Sequence, residues 1–144
     1  MTNRRVPLIA IGAALAIAAA GAAAQNASVL AQAAPGLWEL DGVPEARGKV
    51  RQCFGKLSAL VQYEHRSRSC KPVTLSDSGK TMVVHYTCAG SDFGRTSVKV
   101  ITPRNIKVDT QGISDGLPFA YTIEARRVGE CKAGGSTGGV ERGH

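Results

Sequence analysis

Short runs in which apolar and polar residues alternate fill the second half of the chain and most constrain its fold. Such runs place the apolar side chains of a strand on one face. Turn residues such as Pro103, Asn105 and Gly112 separate the runs. Strands with one apolar face, joined by short turns, are typical of antiparallel sheets. The pattern therefore predicts a mainly β domain, an antiparallel meander curled toward a small barrel. The alternating runs are 95–101, 106–111 and 119–127.

The first half of the same domain predicts two further strands and one helix. Residues 37–40 alternate, with Trp38 and Leu40 on one face, and 49–53 places Val50 toward the core. In 55–64, apolar residues recur at helical spacing, which predicts one short helix with Leu57, Leu60 and Val61 inward. The following basic stretch, 65–69, is expected to be an exposed loop.

A hairpin is predicted between the runs 71–75 and 81–87, around a turn that contains Gly79. If residues 78–80 form a three-residue loop, Cys70 lies directly opposite Cys88. Opposed positions bring two Cβ atoms close enough for a disulfide. The hairpin thus favours a Cys70–Cys88 bridge.

The chain has four cysteines, all after residue 24. An even count in a short exported chain indicates disulfides, here two. Cys70–Cys88 leaves Cys53–Cys131 as the second bridge, whereas the alternative of Cys53–Cys70 with Cys88–Cys131 stays open. The spacing suits neither a zinc site nor a redox Cys-x-x-Cys pair, so no metal is expected.

The first 24 residues read as a signal peptide. Arg4 and Arg5 precede an apolar run that ends in small residues at 22–24. Cleavage is favoured over retention as a membrane anchor, so no stable span remains, and the periplasm or the medium is the expected destination. The arginine pair is compatible with both general secretion and twin-arginine export. Without these two arginines the net charge falls from +7 to +5.

The remainder divides into three expected parts. Residues 25–34 are small and polar and predict a flexible linker. Residues 35–131 form the disulfide-linked β domain. Residues 132–144 are rich in glycine and predict a disordered tail.

No set of residues in the sequence indicates catalysis. A catalytic histidine needs a nucleophile or carboxylate that orients it, and no such motif surrounds His65, His85 or His144. No phosphate-binding loop and no metal-ligand spacing occur. The chain is therefore expected not to be an enzyme and to need no cofactor. A buried, convergent polar cluster would count against that expectation.

Ten basic residues predict either a solvated outer face or an anion-binding surface, for which Arg66, Arg68, Arg126 and Arg127 are the leading candidates. The other six are Arg51, Lys71, Arg95, Lys99, Arg104 and Lys107. In an exported protein the matching partner is an anionic envelope component such as lipopolysaccharide. Nucleic acid is not expected, because the compartment lacks it and aromatic residues for base stacking are scarce.

Aromatic residues suggest a second kind of site. Trp38, the only tryptophan, is expected to anchor the core. In the alternative interpretation, Trp38 lines a pocket for a small apolar ligand together with Tyr86, Phe119 and Tyr121, as in barrels that carry lipids.

The chain resembles the domain-of-unknown-function 3617 family of small exported Gram-negative proteins over about residues 35–131. The resemblance implies an exported, β-rich, disulfide-bearing domain with no established catalytic residues. Members of the family often carry a long Met- and Pro-rich insert where residues 42–50 are short here. A three-residue match at Gly36 and Trp38 also resembles the opening of lipocalins. The resemblance to the first family lies in Pro35-Gly36-Leu37-Trp38-Glu39, Cys53, Cys70, Tyr86-Thr87-Cys88, Gly90, Gly94 and Cys131.

These features favour an exported, periplasmic module that binds a partner or associates with the envelope without catalysis. The alternative is a carrier of small apolar ligands with a lipocalin-like interior.

Overall fold

A computed structural model describes residues 28–132 and the backbone of residues 140–142. The expected signal peptide and the remainder of the expected tail lie outside the described residues. Within the described part, eight antiparallel strands form one sheet in the order β3-β4-β5-β6-β7-β1-β2-β8. The strands are β1 (Gly36–Asp41), β2 (Val50–Phe54), β3 (Cys70–Ser78), β4 (Thr81–Cys88), β5 (Phe93–Thr102), β6 (Asn105–Ser114), β7 (Leu117–Gly129) and β8 (Val140–Arg142).

The mainly β, antiparallel prediction is confirmed, but the sheet does not close into a barrel. Its two edges are β3 and β8, and no ladder joins them. After Cys70 every residue of β3 is exposed. Pro72 offers no backbone donor, and the register shifts by one residue at Leu75. Both features weaken an edge for further pairing, which is a physical reason why the sheet stays open.

The core lies on one face of the sheet, which we call the inner face. Alternate residues of each central strand point there, as the period-two pattern predicts. Trp38 and Leu40 of β1 are fully buried, and the face assigned to Val50 is confirmed. The other inner-face residues of the central strands include Val84, Val98, Val100, Ile106, Val108, Ile123 and Ala125.

The predicted short helix at 55–64 is wrong. Leu57–Leu60 forms a single 3₁₀ turn, and irregular turns follow it. Its N-terminal flanking residue, Lys56, makes no side-chain capping bond, and a segment this short is marginal as a helix. The inward side chains are nevertheless the predicted ones, since Leu57, Leu60 and Val61 are buried against the inner face.

The described part of the expected linker, 28–34, is attached to the domain. Val29–Gln32 forms a 3₁₀ turn, and Val29 is fully buried in the core. The Val29 backbone N–H donates to Asp77 Oδ1 at 2.7 Å. The segment therefore covers the inner face beside the β3–β4 hairpin. In the expected tail, the backbone of Val140–Arg142 pairs with β2.

Both favoured disulfides are present. Cys70–Cys88 joins opposed residues of β3 and β4, with Cα atoms 4.1 Å apart. Cys53–Cys131 joins β2 to the chain just after β7, with Cα atoms 5.5 Å apart. Since β1 lies between β2 and β7 in the sheet, the second bridge spans the start of β1. No cysteine is left free within the described residues.

Candidate functional site

The first two predicted anion-binding arginines are bonded to neighbouring groups. Arg68 forms ion pairs with the carboxylates of Asp92 and Asp115. Arg66 Nη1 donates to the Tyr63 carbonyl at 3.0 Å, and its guanidinium lies 4.7 Å from the centre of the Tyr63 ring. These contacts satisfy much of the charge that the sequence offered to an outside anion.

The other two predicted arginines are also paired and do not share a face. Arg126 and Arg127 follow each other on β7, so their side chains point to opposite faces. Arg126 Nη2 lies 3.5 Å from Glu39 Oε1. Arg127 pairs with Glu130, and its Nε donates to the Pro35 carbonyl at 2.8 Å. The four arginines therefore do not form one patch.

Glu39 is the centre of the ion-pair cluster that contains Arg126. Lys49 and Arg51 also contact its carboxylate, at 3.6 and 3.3 Å. Burial by itself would raise the pKa of Glu39. The hydrogen bond from Arg51 and the charges of Lys49, Arg51 and Arg126 outweigh that effect and lower the pKa. The cluster links β1, β2 and β7.

Three other cations lie on the outer face of the sheet, the face away from the core, as the Glu39 cluster does. We call them the outer-face cations: Arg95, Lys99 and Lys107. Arg95 and Lys99 are four residues apart on β5, and Lys107 of β6 lies directly opposite Lys99. Lys107 Nζ is 3.6 Å from Asp109 Oδ2. No ion pair between residues of the 28–132 range involves Arg95 or Lys99. Like charges in opposed positions destabilise a sheet, so an anion bound here would relieve repulsion.

A shallow groove of about 540 Å³ runs over this outer face beside Arg95. Ser97 and Gln111 add a hydroxyl and an amide to its lining, and Thr122 donates to Asp109. The groove thus combines a guanidinium that has no ionic partner among the described residues with hydrogen-bonding groups and with the Asp109 carboxylate, which Lys107 and Thr122 already contact. That combination suits a hydroxylated anion more than an apolar molecule.

Three of the four predicted apolar-pocket residues meet at the inner face. Phe119 and Tyr121 have ring centres 5.9 Å apart, and His65 lies 5.4 Å from Tyr86 and 5.7 Å from Phe119. Trp38 pairs with Arg127, six residues from Tyr121 along β7, which places it about 20 Å away along the strand. The structure therefore does not gather the four residues into one pocket.

His65 is 1% exposed, so the prediction that it lies in an exposed loop is wrong. Its Nε2 lies 3.1 Å from the Ile113 carbonyl, and its Nδ1 lies 3.0 Å from the Tyr86 hydroxyl. A carbonyl only accepts, so His65 Nε2–H donates to Ile113, and with that proton on Nε2 the Nδ1 atom can accept from the Tyr86 O–H. Burial raises the pKa of Tyr86 to about 12, which keeps this donor protonated at neutral pH.

A second tyrosine holds the same segment, residues 55–69, which we call the covering segment because its buried side chains pack on the inner face. The Tyr121 hydroxyl donates to Glu64 Oε2 at 2.9 Å. Burial raises the pKa of Tyr121, and the hydrogen bond to Glu64 and the charge of that carboxylate raise it further. Hydrogen bonds from Tyr86 and Tyr121 thus fasten residues 64 and 65 to the sheet.

Asp92 fastens the end of the same segment. Its side chain is 7% exposed and accepts from Arg68 and, at 3.0 Å, from the Asp115 backbone N–H. That backbone hydrogen bond is the main cause of the lowered pKa of Asp92. The backbone N–H of Gly116 and the Arg68 guanidinium lower the pKa further. The carboxylate is therefore ionised at neutral pH and joins three loops.

This buried polar cluster is the arrangement that would count against a non-enzymatic function. Both His65 nitrogens are bonded inside the domain, and the Tyr86 hydroxyl faces His65. His65 and Tyr86 are at most 1% exposed, so a substrate has no route to them in this conformation. The bonds described here hold the covering segment in place. Within the described residues, no group of three or more His, Cys, Asp or Glu side chains is placed to hold a metal ion.

Replacing Asp92 by Asn is expected to lower the free energy of unfolding at neutral pH. The difference in unfolding free energy between variant and wild type should become smaller in acid. The pKa of Asp92 is lower in the folded chain than its ordinary value, near 3.8. At pH values above that ordinary value, the ionised carboxylate therefore stabilises the native state. That contribution is lost as the pH falls through the lower, folded value. Urea unfolding at pH 7 and near pH 3 measures the difference. An equal difference at both pH values would contradict this account.

The sequence places the outer-face cations among ten candidate basic residues but does not single them out, because strand register decides which cations are neighbours. Sequence reasoning missed the buried His65, which follows two apolar positions, Val61 and Tyr63, that point inward. The spacing of these three residues along the covering segment is the one signal in the sequence that could have indicated burial.

The fold and the bridges define a small, disulfide-linked, antiparallel β domain. No helix among the described residues is long and apolar enough to cross a membrane. The model of the family described as "Protein of unknown function (DUF3617)" matches residues 33–131, and the chain belongs to that family. No curated protein and no solved structure matches the chain.

Proposed function

We propose that the chain is an exported, non-catalytic binding module that holds an anionic glycan of the cell envelope on the outer face of its sheet. The observation that carries the proposal is the arrangement of the outer-face cations. Two of them, Arg95 and Lys99, are exposed and lack an ionic partner among the described residues. The groove beside Arg95 offers hydroxyl and amide groups.

The spacing of the cations indicates a ligand with several anionic groups. Four residues along β5 separate Arg95 from Lys99 by about 13 Å. Lys99 and Lys107 are opposed residues with Cα atoms about 5 Å apart. One small anion cannot reach both ends of this set. A polymer or a multiply charged glycolipid headgroup can do so, and its hydroxyl groups would face Ser97 and Gln111.

Two features support the export part of the proposal. The domain contains two disulfides, which persist in oxidising compartments. The sequence of residues 1–24 has the features of a signal peptide. We therefore propose the periplasm as the place of action.

An apolar carrier that uses the predicted aromatic residues is less favoured. Trp38 and Tyr86 are fully buried among core side chains and bonded inside the domain. Phe119 packs against His65. These residues fill the inner face rather than line a space for a ligand.

Replacing Arg95, Lys99 and Lys107 together by serine is expected to weaken binding of dextran sulfate, used as a model anionic glycan, by about tenfold. Exposed ion pairs are worth up to about 1 kcal/mol each, and a loss of about 1.4 kcal/mol is tenfold. Titration calorimetry at two salt concentrations measures the affinity. The variant should also show a weaker salt dependence than wild type.

A matched control removes two lysines and one arginine elsewhere. Arg47, Lys56 and Lys80 are exposed and lie outside the groove, so their replacement by serine changes the net charge equally. The control should retain most of the affinity, and neutral dextran should not bind. Equal losses in the two triple variants would show that net charge alone attracts the polymer and would contradict the assigned surface.

A further inference from the structure

Gln52 carries an unpaired buried hydrogen-bond acceptor. It lies on β2 between the core residues Val50 and Phe54, directly opposite Trp38 on β1. The side chain is 8% exposed, and its Oε1 has no hydrogen-bond partner among the described residues. Buried polar atoms in folded proteins are nearly always bonded, so this atom requires an explanation.

A cavity of about 440 Å³ lies beside this glutamine, at the end of the sheet where β2 leads into the 3₁₀ turn. Its volume falls in the range of about 300–1,000 Å³ that is typical of small-molecule sites. Most of the lining is apolar, and Lys56 is exposed at the rim. The lining residues are Gln52, Cys53, Phe54, Gly55, Lys56 and Ala59.

We propose that this cavity binds a small apolar molecule that bears a hydroxyl or amide donor, with the donor bonded to Gln52 Oε1. The apolar part of such a ligand would contact Phe54 and Ala59. Because Oε1 has less than 1 Å² of accessible surface, a rotation of the glutamine side chain would bring the unpaired acceptor to the donor. A molecule of the same size with acceptors alone would leave Oε1 unpaired, which disfavours its binding. The site lies away from the outer-face cations and does not depend on the proposed glycan binding.

The protein contains its own reporter for this site. Trp38 is the only tryptophan in the chain and lies directly opposite Gln52. We therefore propose to follow Trp38 fluorescence during titration with 1-octanol, which has a donor, and with 2-octanone, which has only an acceptor. Wild type is expected to show saturable binding of 1-octanol and about tenfold weaker binding of 2-octanone.

Gln52→Leu tests the role of the acceptor. This variant should bind the two probes about equally, and it should unfold at a higher urea concentration than wild type, because no unpaired acceptor remains buried. A preference for 1-octanol that persists in Gln52→Leu would overturn the assignment. Absence of saturable 1-octanol binding to wild type would also overturn it and would indicate that a bound water satisfies Oε1.

Ala59→Phe tests the cavity without altering the core, because Ala59 is exposed at the cavity wall. The larger ring should fill the space and abolish 1-octanol binding, whereas unchanged binding would place the ligand elsewhere. Both variants should bind dextran sulfate like wild type. Failure of this site and failure of the outer-face proposal are therefore distinguishable.

Discussion

Replacing Cys53 and Cys131 together by alanine is expected to lower the free energy of unfolding by about 4 kcal/mol. The two cysteines are 78 residues apart in sequence. In the chain-entropy model, a bridge that closes so long a loop removes much of the conformational freedom of the unfolded chain. The bridge also spans the start of β1, so its loss frees the end of β7 from β2. Urea unfolding at neutral pH measures the change.

The hairpin disulfide is the matched control for that experiment. Cys70 and Cys88 are 18 residues apart, and the same model gives a loss of about 3 kcal/mol for their joint replacement by alanine. Their hairpin lies at the exposed edge of the sheet, so fewer core contacts depend on it. A larger loss for the hairpin pair than for Cys53 and Cys131 would contradict the expected order.

Trp38→Ala is expected to lower the free energy of unfolding by about 4 kcal/mol. Trp38 is fully buried on the inner face, and its Nε1 donates to the Ala34 carbonyl at 3.1 Å. Truncation of such a side chain removes its buried apolar surface, leaves a cavity and breaks the hydrogen bond. The low aromatic content of 5% leaves few other large side chains to compensate.

Leu117→Ala controls for the loss of an apolar side chain in itself. Leu117 is 70% exposed at the start of β7, and its truncation should change stability by less than about 0.5 kcal/mol. Urea unfolding followed by circular dichroism suits both variants, because one of them lacks tryptophan. A similar small loss for Trp38→Ala would show that Trp38 does not anchor the core.

The strands and their inward faces are predictable from the sequence because burial on one face imposes a period of two. Val98, Val108 and Ile123 are examples in which the pattern identifies the buried residue. The Cys70–Cys88 pair was predicted from an assumed three-residue loop. The structure has a two-residue loop, Gly79 and Lys80, and an irregularity near Leu75 that restores the predicted register at the cysteines.

Closure of the sheet and the form of residues 55–69 were not predictable in the same way. Whether a sheet closes depends on whether its edge strands can pair, and an open sheet needs other segments to cover its apolar face. Here Val29 and the segment around His65 supply that cover. The exposed-loop prediction for His65 rested on its basic neighbours. Its burial depends on Tyr86 and the Ile113 carbonyl, which are distant in sequence.

The residues of the proposed binding surface were likewise not predictable from the sequence, because contacts between distant residues decide which cations are available. From the sequence, Arg68 and Arg126 are expected to be free to bind an anion, because their acidic partners are distant in the sequence. Those partners are Asp92 and Glu39. Lys99 and Lys107 are neighbours because of the register between β5 and β6, which the sequence does not show. Charge composition therefore predicted an anionic partner, and tertiary structure was needed to choose the cations.

The most direct test of the outer-face surface is a nuclear magnetic resonance titration of the ¹⁵N-labelled domain with short dextran sulfate. The largest amide shift changes are expected to cluster at Arg95, Lys99 and Lys107, with smaller changes at neighbouring groove residues. Changes centred on Arg66 and Arg68, or spread evenly over all basic residues, would contradict the central claim.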